Sequence, residues 1–240
     1  GNGSNILVRD GGYKGVLIKL GGAFDRVEVR GESIVAGAAA LLSQVARAAL
    51  EASLTGFEFA SGIPGSVGGG VFMNAGAYGG ELKDCIDSVV FVSRDGMTES
   101  LKYTHELEFG YRHSIFGDTG DIITEVTFKL QKGDRTQIAD RIKELATKRN
   151  TKQPMHLPSA GSFFKRPAGN FAGTLIEGAG LKGLSVGDAQ VSPLHAGFIV
   201  NNGAATASDI IALMKLVQYT VHDKEGVMLE PEVRIIGETE

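Results

Sequence analysis

A glycine-rich segment over residues 62–80 constrains this chain more than any other feature of its sequence. It holds eight glycines, yet Ile63, Val67 and Phe72 interrupt it at intervals suited to packing. Small residues in a packed segment let the backbone approach a flat or charged group closely, and successive free N–H groups at such turns bind anions. The segment therefore predicts close contact between backbone and ligand, with two ordinary tight turns as the alternative.

A shorter small-residue segment, residues 1–5, precedes the apolar residues Ile6–Val8. Two such segments beside apolar sequence indicate one large ligand that carries phosphate groups. Residues 178–183 also match the dinucleotide fingerprint, but they follow a helical pattern where that motif needs a strand. We interpret them as a helix end and a turn, so a nucleotide ligand is expected without a Rossmann domain.

The composition is that of an ordinary globular protein with one large or two modest domains. Of its 240 residues, 42% are hydrophobic and 22% charged, and the net charge is −4. This charge gives no general attraction to nucleic acid or anionic lipid, and no apolar stretch is long enough to span a bilayer. We therefore expect neither a nucleic-acid partner nor a membrane partner. The single cysteine, Cys85, excludes an intramolecular disulfide and favours a reducing compartment.

Hydrophobic periodicity predicts an α+β protein of two domains. Strands are expected at residues 5–8, 15–20, 27–30, 33–36, 89–92, 122–130, 196–200 and 227–236. Helices are expected at residues 42–50, 137–149, 171–177 and 208–222. Every second residue from Ile122 to Leu130 is expected on one face of its strand. The helix and proline-containing linker near residues 135–158 favour a division into residues 1–132 and 133–240.

Three polar residues lie among apolar or small neighbours and are candidates for chemistry. Arg112 has the forked donor that binds carboxylates and phosphates, with a surface arginine as the alternative. Ser162, between a glycine and two phenylalanines, could donate a proton or bond to its own backbone. Glu232 shares a strand face with Glu230 and Arg234, where carboxylates are usually solvated. No metal site, nucleophile elbow or P-loop stands out.

Six motifs in collinear order resemble the UDP-N-acetylenolpyruvoylglucosamine reductase family, flavin enzymes of bacterial peptidoglycan precursor synthesis. They are Gly-Asn-Gly-Ser-Asn, Gly-Ile-Pro-Gly-Ser-Val-Gly-Gly, Asn-Ala-Gly-Ala-Tyr-Gly, Phe-Gly-Tyr-Arg-His-Ser, Ala-Gly-Ser-Phe-Phe-Lys and Glu-Pro-Glu-Val-Arg. The short path from Phe128 to Ser162 resembles the compact subtype that lacks a lid insertion. The family's N-terminal stretch is absent before Gly1, so natural sequence is expected upstream.

The resemblance implies an N-terminally truncated FAD-binding α+β domain (PCMH-like) at residues 1–132 and a smaller α+β substrate-binding domain at residues 133–240. It implies reduction of UDP-N-acetylglucosamine enolpyruvate to UDP-N-acetylmuramate in the cytoplasm, with noncovalent FAD and with NADPH as co-substrate. NADPH and the sugar nucleotide are expected to use one pocket in turn. The alternatives are an FAD-linked oxidase of the same architecture and a nucleotide-binding module without turnover.

The resemblance also implies roles for individual residues. Arg112 and Glu232 match residues that stabilise the enolate formed by hydride addition, Glu232 as a protonated acid or through hydrogen bonding. Ser162 matches the proton donor, and Lys152 matches a lysine at the substrate's diphosphate. Arg166, where many members carry Asn, either binds the same diphosphate or faces solvent. The implied FAD contacts are Gly1, Asn2, Gly3, Ser4, Asn5, Gly65, Ser66, Gly68, Gly69, Asn74, Ala75 and Gly76.

Overall fold

The computed structural model describes residues 1–239 and divides the chain into two compact units. The first unit comprises residues 1–2 and 18–149, and the second comprises residues 3–17 and the chain from residue 150 onward. The predicted domain limits at residues 132 and 133 stay a prediction. Within residues 1–239, no helix combines the length and the apolar character that crossing a membrane requires.

The described residues 1–239 contain short strands and six α-helices. The strands are β1 (Ile6–Val8), β2 (Val27–Arg30), β3 (Ser33–Gly37), β4 (Leu54–Thr55), β5 (Gly76–Ala77), β6 (Gly80–Glu81), β7 (Ile86–Val92), β8 (Glu99–Tyr103), β9 (Ile122–Lys129), β10 (Gln131–Lys132), β11 (Ser159–Ser162), β12 (Ser185–Val186), β13 (Ala189–Val191), β14 (Phe198–Asn201) and β15 (Arg234–Ile236). The helices are α1 (Leu42–Glu51), α2 (Val67–Phe72), α3 (Phe116–Thr119), α4 (Arg135–Lys152), α5 (Ala172–Gly178) and α6 (Ala207–Glu225).

The first unit is built on an antiparallel sheet in the order β2-β3-β9-β7-β8. Helix α1 packs on β2 and β3, and α2 packs on β3 and β9. The predicted apolar stripe of α1 is confirmed, because Leu42, Val45, Ala46 and Ala49 are all buried. This packing fixes the glycine-rich segment, which contains α2, against the sheet.

The second unit contains an antiparallel sheet in the order β11-β14-β13-β12 and a separate parallel pair, β1 with β15. A capping box begins α6: Thr206 Oγ1 accepts the Asp209 N–H, and the Asp209 carboxylate accepts the Thr206 N–H. Asp10 accepts the next two N–H groups, those of Ala207 at 2.7 Å and Ser208 at 2.8 Å. Bonding to Ser208 above all lowers the pKa of Asp10, so its carboxylate stays ionised at this helix end.

Two predicted strands are wrong in whole or in part. Residues 15–20 form no strand: Val16 and Ile18 are each 84% exposed, and Leu20 alone packs against the core of the first unit. Of residues 227–236, only Arg234–Ile236 pairs as a strand. Upstream of that strand, Pro231 forms a single isolated antiparallel bridge, to Phe164.

The predicted buried face of β9 is also wrong at the start of the strand. Thr124, Val126 and Phe128 are buried as expected, but Ile122 is 44% exposed and Ile123 only 6%. The register between β7 and β9 shifts between Val90 and Phe91. A bulge adds one residue to one strand, and this reverses the faces beyond it.

Candidate cofactor and active site

The two small-residue segments of the sequence meet at Ser66. Ser66 is 2% exposed, and its Oγ accepts the Gly69 N–H at 3.3 Å, which caps α2. A Cβ added at Gly1 would lie 2.7 Å from Ser66 Oγ, so only glycine fits at that position without a shift. The sequence-based expectation that the two segments serve one ligand is consistent with this contact.

Two of the three glycines of α2 pack inward, and the third, Gly69, leaves the helix backbone exposed. A Cβ at Gly68 would lie 2.9 Å from Ala38 Cβ, and one at Gly70 would lie 2.9 Å from a methyl group of Leu82. At Gly69, only the capping Ser66 Oγ is near, at 3.3 Å. Gly68 and Gly70 are therefore needed for packing, whereas Gly69 leaves bare backbone exposed for a ligand.

Arg149 provides an independent sign of an anionic ligand beside the glycine-rich segment. Its Nη1 donates to the carbonyl oxygen of Gly62, and its Cδ lies 3.2 Å from where a Gly62 Cβ would stand. Its Nε is the one buried side-chain nitrogen or oxygen of residues 1–239 that lacks a hydrogen-bond partner. Burial lowers the pKa of Arg149, although nearby Tyr78 opposes this shift. A desolvated guanidinium with an unused donor fits a phosphate group, so these residues fit FAD.

Arg112 lies at the tip of a tight turn in the first unit. Gly110 and His113 exchange backbone hydrogen bonds across this turn. Arg112 is half-buried and has φ +54°, and its Cζ lies 5.1 Å from the ring centroid of Tyr111. A non-glycine residue with positive φ is uncommon and is found repeatedly at functional sites.

Ser162 and Glu232 lie on neighbouring segments of the second unit. The Glu232 N–H donates to the carbonyl oxygen of Phe163 at 2.8 Å, and the Lys165 N–H donates to that of Glu230 at 2.8 Å. Ser162 is exposed, and its hydroxyl makes no hydrogen bond to residues 1–239. The hydroxyl is therefore not committed to its own backbone, which was the alternative from the sequence.

The predicted cofactor residues Asn2, Gly3 and Asn5 are divided between the two units. Asn5 Nδ2 donates to the Glu232 carbonyl oxygen at 3.2 Å, and its own carbonyl accepts the Arg234 N–H at 3.0 Å. Gly3 has φ +69°, and both Gly3 and Asn2 are exposed. Asn5 thus fixes the segment that carries Glu232.

Six further candidates differ in their surroundings. Ala75 accepts the Leu82 N–H, and Gly76 pairs in the β5–β6 hairpin. Lys152 ends α4 with an exposed side chain. Arg166 is exposed, and its Cζ lies 4.4 Å from the ring centroid of Phe171. Ser4 and Gly65 are half-buried. The assignment of Ala75, Gly76, Ser4 and Gly65 to FAD, like that of Lys152 and Arg166 to substrate, stays a prediction.

The described residues 1–239 give little support to metal binding, cysteine chemistry or a Rossmann-type dinucleotide site. The described chain contains no group of three His, Cys, Asp or Glu residues arranged to hold a metal ion. Burial raises the pKa of Cys85 to about 12, so this thiol is protonated and unreactive near neutral pH. The fingerprint at residues 178–183 forms the end of α5 and two turns, with Gly180 at φ +76° and Gly183 at φ +78°, as interpreted from the sequence.

Comparison with known proteins gives matches along the whole chain. A model of the FAD binding domain matches residues 1–102, and one of the UDP-N-acetylenolpyruvoylglucosamine reductase C-terminal domain matches residues 153–236. The UDP-N-acetylenolpyruvoylglucosamine reductase of Pediococcus pentosaceus is 52% identical over 99% of this chain and 79% of its own length. That of Alkaliphilus oremlandii is 50% identical over 99% of this chain and 78% of its own length. The crystal structure of the Thermus caldophilus reductase aligns with a TM-score of 0.87 at 40% identity, over 98% of this chain and 83% of that chain.

The fold, the glycine-rich segments and these matches define a flavin-dependent oxidoreductase. The chain belongs to the UDP-N-acetylenolpyruvoylglucosamine reductase family. The α+β class, the family and FAD as cofactor, all predicted from the sequence, are thereby confirmed. The sequence analysis did not identify Arg149 as a candidate. Its position three residues before Lys152, in the same helix α4, was the signal that could have revealed it.

Proposed function

We propose that this chain reduces UDP-N-acetylglucosamine enolpyruvate to UDP-N-acetylmuramate with NADPH, and that Arg112, Ser162 and Glu232 act on the sugar nucleotide. The observation that carries the proposal is the pairing of Phe163 with Glu232 beside the free Ser162 hydroxyl. A proton donor and an acidic group on neighbouring segments suit addition of hydride and a proton across an activated alkene.

The cofactor would be held by the segments that meet at Ser66. Gly65, Gly69 and Gly1 would offer backbone to FAD, and Arg149 would offer its unused donor to a phosphate oxygen. When bound, FAD supplies the redox chemistry, accepting hydride from NADPH and delivering it to the vinyl carbon of the substrate. The protein supplies orientation, charge placement and the proton.

Arg112 and Glu232 would stabilise the charge that develops on the substrate. Hydride addition to the terminal CH2 leaves negative charge on the adjacent carbon and, by conjugation, on the carboxylate oxygens. The Arg112 guanidinium binds two such oxygens at once and gains most when their charge is greatest. Glu232 would donate a hydrogen bond to the same charge when protonated.

Ser162 would then complete the reaction by protonating the adjacent carbon. A serine hydroxyl is too weak an acid to protonate a neutral alkene, but an enolate is basic enough to accept its proton. The resulting serine alkoxide regains a proton from solvent, which the exposure of Ser162 permits. The order of events is therefore hydride first and proton second.

The proposed partners are small molecules. Lys152 and Arg166 would bind the diphosphate of the sugar nucleotide, and NADPH would occupy the same pocket before it. We propose a cytoplasmic location, where NADPH and nucleotide sugars are available, and no nucleic-acid partner. The net charge of −4 and the buried, unpaired Cys85 agree with this location.

Steady-state kinetics test the shared pocket. Because NADPH must leave before the sugar nucleotide enters, double-reciprocal plots at several fixed substrate concentrations should be parallel. Each ligand in excess should inhibit by occupying the form that binds the other. Intersecting lines, with both ligands bound at once in equilibrium dialysis, would contradict the shared pocket while leaving the reaction itself intact.

A further inference from the structure

The turn that carries Arg112 has a backbone conformation that its own sequence does not favour. The Gly110 N–H donates to the His113 carbonyl at 3.1 Å, and the His113 N–H donates to the Gly110 carbonyl at 3.3 Å. Arg112 is the third residue of this turn and has φ +54°, where glycine or asparagine is usual. Such a conformation persists only where surrounding contacts fix it.

Asn74 supplies one of these contacts. It is 0% exposed, and its Nδ2 donates to the Gly110 carbonyl at 2.9 Å and to Glu81 Oε2 at 3.0 Å. Its Oδ1 accepts the Lys83 N–H at 3.1 Å. Both donors of the Asn74 amide are therefore used within the first unit, and none of its surface is available to a ligand.

Ser114 supplies a second contact on the other side of the turn. It is 0% exposed, and its Oγ donates to the Phe72 carbonyl at 2.8 Å. Phe72 is the last residue of α2, and Asn74 follows two residues later. Two side-chain bonds therefore tie the two ends of the Arg112 turn to the end of the glycine-rich helix.

Glu81 fixes the orientation of the Asn74 amide. Its Oε2 pairs with Lys83 Nζ at 2.9 Å. The hydrogen bond from Lys83 is the largest cause that lowers the pKa of Glu81, and the Asn74 amide and the Arg112 charge act in the same direction. An ionised Glu81 holds the Nδ2 end of the amide toward itself and toward Gly110, which excludes the flipped amide.

We propose that Asn74 and Ser114 are positioning residues that hold the Arg112 turn for catalysis, and that the Asn74 side chain acts through Arg112 instead of by contact with FAD. This inference rests on the proposed role of Arg112. The glycine-rich helix, whose start is proposed to bind the cofactor, would also hold the Arg112 turn at its end.

The test is Asn74→Asp in the FAD-loaded enzyme. Aspartate keeps the size of the side chain and tolerates the φ of +42° at this position. It replaces the two N–H donors of Nδ2 by at most one O–H, so the Gly110 carbonyl and Glu81 cannot both keep their hydrogen bonds. We expect FAD affinity and flavin reduction by NADPH to stay within about twofold. Reoxidation by the enolpyruvyl substrate should slow by about 10–100-fold, as for a misplaced catalytic group.

Two further variants complete the test. Asn202→Asp is the matched control, because it breaks one amide hydrogen bond within the second unit, to Gln190 at 3.0 Å; it should reoxidise normally. Ser114→Ala removes the second contact with little change in volume and should also slow reoxidation selectively, even if Asn74→Asp does not fold. Loss of FAD, equal damage to both half-reactions, or normal reoxidation in both variants would overturn the inference. A wild-type enzyme that cannot be reoxidised by the substrate would instead contradict the proposed function.

Discussion

Ser162→Ala should reduce its flavin with NADPH at the normal rate and then fail to pass the electrons to the sugar nucleotide. The first half-reaction needs no proton donor at the substrate. The second leaves an enolate that must be protonated, and loss of a general acid costs about 10²–10⁴-fold. Stopped-flow absorbance of the flavin follows each half-reaction separately, so a folding defect, which would lower both rates, is distinguished from a catalytic one.

Two companion variants sharpen the Ser162 experiment. Ser162→Cys should recover part of the lost rate, because a thiol also delivers a proton. Ser159→Ala removes a hydroxyl from the other end of the same strand, β11, and should behave as wild type. Normal reoxidation in Ser162→Ala would exclude this serine as the donor and transfer the role to Glu232.

Arg112→Asn should separate stability from activity. Asparagine adopts a φ of +54° with less strain than arginine, so the melting temperature should stay the same or rise by a few degrees. The guanidinium that binds the developing charge is lost, and reoxidation by the substrate should slow by about 10²–10³-fold, the usual cost of removing one such donor. Differential scanning calorimetry and stopped-flow measurements on the same preparation give both quantities.

A conservative variant shows which property of Arg112 matters. Arg112→Lys keeps the charge and the positive-φ strain but loses the fork that binds two oxygens, so its reoxidation rate should lie between those of wild type and Arg112→Asn. If Arg112→Asn turned over normally, Arg112 would have no catalytic role. A large fall in its melting temperature would instead show that the turn needs arginine for packing.

Local patterns were sufficient to predict much of the fold. The stripe from Leu42 to Ala49 predicted α1 because a helix repeats its buried face every three to four residues. The strands at residues 27–30 and 33–36 were predicted, and they pair as a hairpin across Gly31, which has φ +65°. The six motifs indicated the family, because their residues determine both the chemistry of the site and the backbone geometry around it.

Other features depend on contacts between distant residues and could not be predicted. The bulge opposite Val90 is set by the pairing of β7 with β9, so no period in β9 alone reveals that Ile123 is buried. Asn74 and Asn5 stand in glycine-rich segments that suggest ligand contact. Their amides instead bond Gly110 and Glu232, which lie 36 and 227 positions away.

The central claim is that the protein transfers electrons from NADPH to an enolpyruvyl sugar nucleotide, and anaerobic titration of the FAD-loaded enzyme tests it most directly. One equivalent of NADPH should bleach the visible flavin absorbance. One equivalent of UDP-N-acetylglucosamine enolpyruvate should then restore it and yield one equivalent of UDP-N-acetylmuramate. Absorbance that returns only when oxygen is admitted, with the sugar nucleotide unchanged, would contradict the account and indicate an oxidase.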